Sequence, residues 1–155
     1  MIVLDTTVLV YAVGDVHEYR EPCRRLISAI QRDELQATTT VEAIQEFAHV
    51  RARRRTREDA VKLSEAYVAM LSPLLVVEES DLRNGLRLFQ EHIELGSFDA
   101  VLAAAAESIE ATAVVSADTA FSAVGGLRHV TPDAAGVESL LRSTADDRSE
   151  EPQTD

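Results

Sequence analysis

Four acidic side chains occupy positions where an α/β protein can bring them together. Asp5 ends an apolar run at the N-terminus, and Asp118 follows a second apolar run. Asp99 falls in the first turn of one predicted helix, and Glu46 lies in the middle of another. Converging carboxylates repel one another, and a divalent cation placed between them relieves that repulsion. Because hard oxygen ligands suit Mg²⁺ and Mn²⁺ better than zinc, the pattern predicts a Mg²⁺ site that Mn²⁺ could also occupy.

Each acid also has a purely structural interpretation. Asp5 could cap the turn that follows it, Asp99 could complement a helix dipole, and Asp118 could form an Asx-turn. Glu42 lies one helical turn before Glu46, and periodicity alone does not choose between these two glutamates. These alternatives stay open at the level of composition and spacing.

Two hydroxyl side chains lie next to the predicted acids. Thr6 directly follows Asp5, and Ser116 stands two residues before Asp118. Both hydroxyls could hydrogen-bond the carboxylates or a phosphate oxygen, and they could equally be ordinary turn hydroxyls. We therefore treat Thr6 and Ser116 as candidate supporting residues.

The elements that must position these groups alternate between short apolar strands and longer helices. Strands are predicted at 1–4, 37–39, 74–77, 113–115 and, more weakly, 128–130. Helices are predicted at 6–13, 17–32, 41–55, 57–70, 80–93, 98–109 and 132–141. This alternation favours a three-layer α/β/α fold with a central parallel sheet of four to five strands. Open sheets of this class place their sites at the carboxyl ends of strands, which is where Asp5 and Asp118 fall.

Length and composition indicate one globular domain. The chain has 155 residues, of which 46% are hydrophobic, enough to bury a core. We predict a domain over residues 1–142 and an acidic, disordered tail over 143–155, where five acids accompany a single arginine. The one cysteine, Cys23, is expected to be a small buried hydrophobe in a reducing compartment. The N-terminus lacks the features of a signal peptide and no apolar run approaches a membrane span, so we expect a cytoplasmic protein.

Net charge is the main argument against a nucleic-acid ligand. The formal net charge of −12 disfavours binding to a polyanion. The charge is uneven, however, because five arginines fall between positions 51 and 57. Four of them are candidate contacts to a phosphate backbone: Arg51, Arg53, Arg54 and Arg55. The alternative is that these arginines pair with Glu58, Asp59 or the acidic tail.

Several other site classes are poorly matched by the sequence. The four histidines show no paired metal spacing, and there is no glycine-rich phosphate loop or nucleophile elbow. The tyrosines and phenylalanines look too scattered for a base-stacking platform. A phosphatase of the haloacid-dehalogenase type would need an aspartate where the chain has Thr7, and a receiver domain would need one after the strand at 74–77. A non-catalytic module that only binds RNA or protein remains the alternative to an enzyme.

Four segments in a fixed order resemble one known family. They are IVLDTTVLV at 2–10, AIQEF at 43–47, SFDAVLAAA at 97–105 and VVSADTAF at 114–121. Together they resemble a PIN domain, and specifically the VapC-type toxins of type II toxin–antitoxin systems. The resemblance extends from residue 1 to about residue 142.

The resemblance implies a function as well as a fold. It implies a Mg²⁺-dependent endoribonuclease whose metal-binding and catalytic acids are Asp5, Glu46, Asp99 and Asp118, and it selects Glu46 over Glu42 because the Glu–Phe pair is the matching unit. It also implies an RNA substrate, a small antitoxin partner and a homodimer. Two positions depart from the family pattern. Thr7 stands where Asn or Ser is common, and Ala120 stands where many relatives carry a further Asp, which leaves fewer carboxylates for a second metal.

Overall fold

A parallel four-stranded sheet forms the centre of the protein. The computed structural model describes residues 1–149, and side chains through residue 143. The strands are β1 (Ile2–Leu4), β2 (Ala37–Thr38), β3 (Ala113–Val115) and β4 (His129–Val130). They lie in the order β2-β1-β3-β4, and each neighbouring pair is parallel. The central position of β1 is fixed by Val3, which pairs with Thr38 on one side and Val114 on the other.

Helices cover both faces of the sheet. They are α1 (Thr6–Ala12), α2 (Arg20–Gln31), α3 (Val41–Arg54), α4 (Arg57–Leu71), α5 (Glu79–Glu91), α6 (Ser97–Ser108) and α7 (Ala134–Ser149), with a 3₁₀ helix at Thr119–Ala123. Alternate strand side chains point to opposite faces, so Ile2 and Leu4 enter the core beneath α1–α4 and α7, while Val3 enters the core beneath α6. The predicted three-layer α/β/α architecture is confirmed.

The predicted strand at 74–77 is wrong. Leu75 makes only an isolated bridge to Thr40, with its amide donating to the Thr39 carbonyl at 2.9 Å. The neighbouring strand β2 is two residues long, because Thr40 caps α3 through a hydrogen bond from the Ala43 amide and turns the chain away. No further strand partner is available there, so the described part of the chain contains four strands rather than five.

Two helix starts differ in how well the sequence located them. Thr56 accepts the Asp59 amide as the N-cap of α4, which begins at Arg57 as predicted. The helix predicted at 98–109 begins one residue earlier, at Ser97, and Gly96 occupies its N-cap position.

The end of the chain and the cysteine bear on the remaining structural expectations. Helix α7 continues to Ser149, past the predicted domain boundary, and residues 150–155 lie outside the described residues, so the disordered tail stays a prediction.

Within the described residues, no helix is both long and apolar enough to span a membrane. Cys23 is fully buried, and burial raises the pKa of its thiol to about 12, as expected of a small buried hydrophobe.

Candidate functional site

All four predicted acids line one open cleft at the carboxyl ends of β1 and β3. Asp5 follows β1, Asp118 follows β3, Glu46 projects from the middle of α3, and Asp99 projects from the first turn of α6. The cleft has a volume of about 330 Å³. Four segments that are far apart in the sequence therefore meet at the edge of the sheet where parallel α/β proteins place their ligands.

Within the described part of the chain, the two carboxylate oxygens of Asp5 have different surroundings: Oδ2 is hydrogen-bonded within the fold, and Oδ1 is not. Asp5 is 4% exposed, and its Oδ2 accepts hydrogen bonds from Thr7 Oγ1 at 2.6 Å and Ser116 Oγ at 2.7 Å. The Thr7 amide also donates to Oδ2, at 3.3 Å, so Asp5 caps α1. Among the described residues, no group hydrogen-bonds Oδ1. The capping interpretation and the cleft interpretation of Asp5 are therefore compatible, because each uses a different oxygen.

The loop after β3 is fixed to α1 by two hydroxyls. Ser116 Oγ accepts the Asp118 amide at 2.9 Å, and Thr7 Oγ1 accepts the Ala117 amide at 3.0 Å. Asp118 in turn caps the 3₁₀ helix, with its Oδ1 accepting the Ala120 amide at 2.8 Å. Asp118 therefore also uses one oxygen for an Asx-type cap and keeps the other for the cleft. Sequence reasoning had not assigned Thr7 this role, although Thr7 contacts both Asp5 and the β3 loop.

A single contact distinguishes Glu46 from Glu42. Thr6 Oγ1 donates to Glu46 Oε2 at 2.8 Å, which holds the carboxylate toward the neighbouring Asp5. Glu42 lines adjoining pockets but not the cleft that contains Asp118. The structure thus places the predicted hydroxyls of Thr6 and Ser116 against carboxylates, and it favours Glu46 as the fourth acid.

The pKa of Asp99 reflects repulsion among the four acids. Burial, together with repulsion from Asp5, Asp118 and Glu46, raises the pKa of the Asp99 carboxyl to about 6. An aspartate in water titrates near 3.8. The cluster is therefore an environment that favours either a proton or a cation at Asp99.

The donor set fits a hard divalent cation. The ionisable groups that line the cleft are oxygen donors apart from Arg54, and neither a histidine nor a cysteine lines it. Among the described residues, no three or more acidic, histidine or cysteine side chains lie close enough to hold a metal ion together. Mg²⁺ does not require such a group, because it is commonly held by one or two carboxylates and retains several waters. Free oxygens on Asp5 and Asp118 across an open cleft meet that requirement.

Gly96 leaves space for the Asp99 carboxylate, a role that the sequence did not indicate. A Cβ at residue 96 would lie 2.7 Å from Asp99 Oδ2, closer than real Cβ contacts allow. The backbone of Gly96 has φ −64° and ψ 155°, which any residue can adopt. The glycine therefore leaves the space that the Asp99 carboxylate occupies, and a side chain at this position would displace that carboxylate.

The aromatic side chains are less scattered than the sequence predicted. Tyr11 and His17 stack with ring centroids 4.4 Å apart, and Tyr19 packs edge-on against Tyr11 at 5.5 Å. Tyr11 also lines the acid cleft. Their irregular spacing hid this cluster, because the turn between α1 and α2 folds the chain back on itself.

Arg51 serves the fold, which corrects its assignment as a phosphate contact. Its side chain is 15% exposed, forms an ion pair with Asp59 of α4, and donates from Nη1 to the Val13 carbonyl at 3.0 Å. The alternative of pairing with Asp59 therefore holds for this arginine. Arg51 joins the end of α1 to α3 and α4.

The remaining arginines of this run divide between an ion pair and the cleft. Arg55 pairs with Asp15 at 3.1 Å. Arg53 is exposed, and Arg54 is exposed and lines the same cleft as the four acids. Arg54 is therefore the cation of the run that lies nearest the candidate site.

Comparison with known sequences adds a family to this geometry. The sequence profile of the PIN domain matches residues 2–127. The chain belongs to the PIN domain family. The matched range of this PIN domain contains all four acids of the cleft, and the resemblance inferred from the four motifs is confirmed.

Individual relatives of this PIN domain carry ribonuclease names. It is 52% identical over 145 residues to Ribonuclease VapC7 of Mycobacterium tuberculosis strain H37Rv, covering 91% of this chain and 98% of the relative. It is 31% identical over 102 residues to Ribonuclease VapC23 of the same species, strain CDC 1551, covering 64% and 78%. The VapC ribonuclease Mb1869c of Mycobacterium bovis is 22% identical over 130 residues, covering 84% and 99%. The similarity to VapC7 therefore extends through nearly the full length of both chains.

Proposed function

We propose that this chain is a metal-dependent endoribonuclease that hydrolyses RNA phosphodiester bonds as the toxin of a type II toxin–antitoxin pair. The observation that carries the proposal is the meeting of four carboxylates, from four separate segments, in one cleft of a PIN domain. The near full-length similarity to Ribonuclease VapC7 supports the choice of RNA as substrate.

The four acids would hold the cation and the attacking water. Asp5, Asp99 and Asp118 would bind Mg²⁺ directly or through water, with Mn²⁺ as a substitute, and Glu46 would complete the shell or orient the water. When bound, the cation supplies a water of lowered pKa and offsets charge on the phosphate. Thr6 supports this role by holding Glu46 in place.

The supporting hydroxyls prepare the cleft before substrate arrives. Thr7 and Ser116 hold Asp5 Oδ2, so that the other oxygen of Asp5 stays directed to the cleft. In the hydrolysis that we propose, water oxygen bonds to phosphorus, the bond from phosphorus to the 3′ oxygen breaks, and that oxygen takes up a proton. The products are a 5′-phosphate end and a 3′-hydroxyl end.

Mapping the ends of cleaved RNA tests this function. Total RNA incubated with the protein and Mg²⁺ should yield fragments with 5′-phosphate ends, whereas EDTA should abolish cleavage. Cleavage that persists in EDTA, or that leaves 2′,3′-cyclic phosphates, would contradict the scheme. Binding of RNA without cleavage would favour the non-catalytic alternative.

The partners follow from the same assignment. We propose a homodimer and a small protein antitoxin, both carried over from the VapC-type family, and a cytoplasmic location. Purification from the native host, followed by light scattering and mass spectrometry, should show two copies of the chain together with a short co-purifying protein.

Arg54 should contribute to the RNA affinity of this acidic protein. Arg54→Glu should weaken binding and reduce by about one the slope of log affinity against log salt, because one phosphate contact is lost. Arg53→Glu tests the exposed neighbour in the same way. Arg83→Glu on α5 is the matched control, because Arg83 is exposed, pairs with Glu79 and does not line the cleft. An unchanged salt slope in both Arg53→Glu and Arg54→Glu would leave the arginine run without a role in RNA binding.

Gly96→Ala should impair cleavage with little loss of stability. The new Cβ would displace the Asp99 carboxylate, and a misplacement of about 1 Å can cost roughly 100-fold in rate. The carboxylate can move, so the melting temperature should stay close to that of the parent. Gly125→Ala is the control, because a Cβ at residue 125 has nothing within 4 Å. Equal cleavage rates for the two variants would show that Gly96 has no positioning role.

A further inference from the structure

Phe98 is exposed in a way that the fold does not explain. It is 76% exposed, compared with 46% for Phe89 and complete burial for Phe47 and Phe121. It is the second residue of α6 and directly precedes Asp99. Its ring therefore stands in water at the edge of the candidate active site.

The ring forms one wall of a pocket that adjoins the acid cleft. The opposite wall is one polar face of α3, contributed by Glu42, Gln45, Glu46 and His49. The pocket has a volume of about 380 Å³, within the roughly 300–1,000 Å³ that small-ligand sites occupy. Glu46 lines both the pocket and the acid cleft, so the two spaces adjoin at this side chain.

The chemistry of the pocket selects its occupant. Its charged lining residues are acidic, so it disfavours a phosphate, whereas a flat aromatic base can stack on the Phe98 ring. The Gln45 amide and the His49 ring carry donors and acceptors that match base edges, and the described structure shows neither in a hydrogen bond. The Glu42 carboxylate can accept from a base amino group. These features together fit a nucleobase whose own phosphate lies outside the pocket.

We infer that Phe98, Gln45 and His49 form a nucleobase subsite that holds one unpaired base of the RNA beside the phosphate to be cut. This inference rests on the proposed function and adds a positioning element to it. A base in a duplex cannot enter the pocket, because its faces are covered by neighbouring bases. The subsite therefore selects single-stranded loops. The hydrogen-bonding groups of Gln45 and His49 influence which base is accepted.

Binding measured without cleavage tests the subsite. A single-stranded oligoribonucleotide carries 2-aminopurine at one position, which is moved through the sequence, and fluorescence is recorded in EDTA. One position should be quenched on binding to the parent protein. Phe98→Leu should remove that quenching and weaken binding roughly tenfold, in line with the loss of one base–aromatic stack. Phe89→Leu, the same change at an exposed phenylalanine outside the pocket, should match the parent.

A tryptophan variant gives an independent readout. The chain has no tryptophan, so Phe98→Trp introduces a single indole at the pocket. It should retain the quenching of 2-aminopurine, and its own emission should change on addition of RNA. Gln45→Ala and His49→Ala should alter the preference among the four bases at the quenched position.

The outcomes separate this inference from the proposed function. Quenching in EDTA without any Mg²⁺-dependent cleavage would support the base subsite and contradict the proposed nuclease function. Cleavage without quenching at any position, or equal quenching in Phe98→Leu and the parent, would overturn the subsite alone. If Phe98→Leu instead changes the oligomeric state or antitoxin binding and leaves RNA affinity unchanged, the pocket is a protein interface and the inference is wrong.

Discussion

Asp5→Asn should lower Mg²⁺-dependent RNA cleavage by about 1,000-fold while the protein remains folded. Removing one charged ligand costs several kcal/mol of the charge stabilisation that a bound cation provides, and each 1.36 kcal/mol is tenfold in rate. Asparagine keeps an oxygen for the hydroxyls of Thr7 and Ser116, so the cap of α1 survives. The cleavage rate of a labelled RNA, together with the melting temperature in EDTA, measures both effects.

A matched substitution separates catalysis from capping. Asp133 also accepts a backbone amide at a helix start, that of Gly136 at 2.7 Å, and it does not line the cleft. Asp133→Asn should therefore leave the cleavage rate within about twofold of the parent, since surface-cap changes act on stability and not on the site. If Asp5→Asn cleaves as fast as Asp133→Asn, the four-acid scheme is wrong.

Mg²⁺ should raise the melting temperature about twice as much at pH 7.5 as at pH 5. Saturation at 100 times the dissociation constant adds about 2.7 kcal/mol to the free energy of unfolding, or roughly 5–10 °C for a domain of this size. The pKa of Asp99 is raised to about 6 by burial and by its acidic neighbours, so at pH 5 a proton occupies the carboxyl for which the cation competes.

The metal-free protein should respond to pH in the opposite direction. Because the folded pKa of Asp99 lies above its ordinary value of 3.8, the stability linked to its protonation is present below about pH 4 and is lost as the pH rises through 6. Thermal melts in EDTA and in Mg²⁺ from pH 5 to pH 8 should therefore diverge. Equal gains from Mg²⁺ at pH 5 and pH 7.5 would contradict a site that includes Asp99.

Local patterns predicted the parts of the site that lie at strand ends. Asp5 and Asp118 follow the two apolar runs that pair at the centre of the sheet, and this proximity depends only on parallel pairing of β1 with β3. The choice of Glu46 over Glu42 needed family resemblance, because a helix presents both on nearly the same face. In the structure the choice corresponds to one contact from Thr6, a residue 40 positions away.

Features that depend on tertiary contacts were beyond sequence reasoning. The apolar residues at 74–77 had the composition of a strand, but the edge they meet is only two residues long. Arg51 resembled its neighbours in the run until the packing of α4 placed Asp59 against it. Gly96 gave no signal other than its position three residues before Asp99, because its role is to leave room for an atom that only the folded chain puts there.

The hydrogen bond from Ser116 to Asp5 has a consequence for synthesis of the protein. It joins residues separated by 111 positions. Strand β1 pairs with β3, and this pairing cannot form until β3 has been translated. A polypeptide still emerging from the ribosome therefore carries Asp5, Glu46 and Asp99 without the strand that assembles them. We therefore expect the proposed nuclease activity to appear only when the last quarter of the chain, which includes Asp118, has been made.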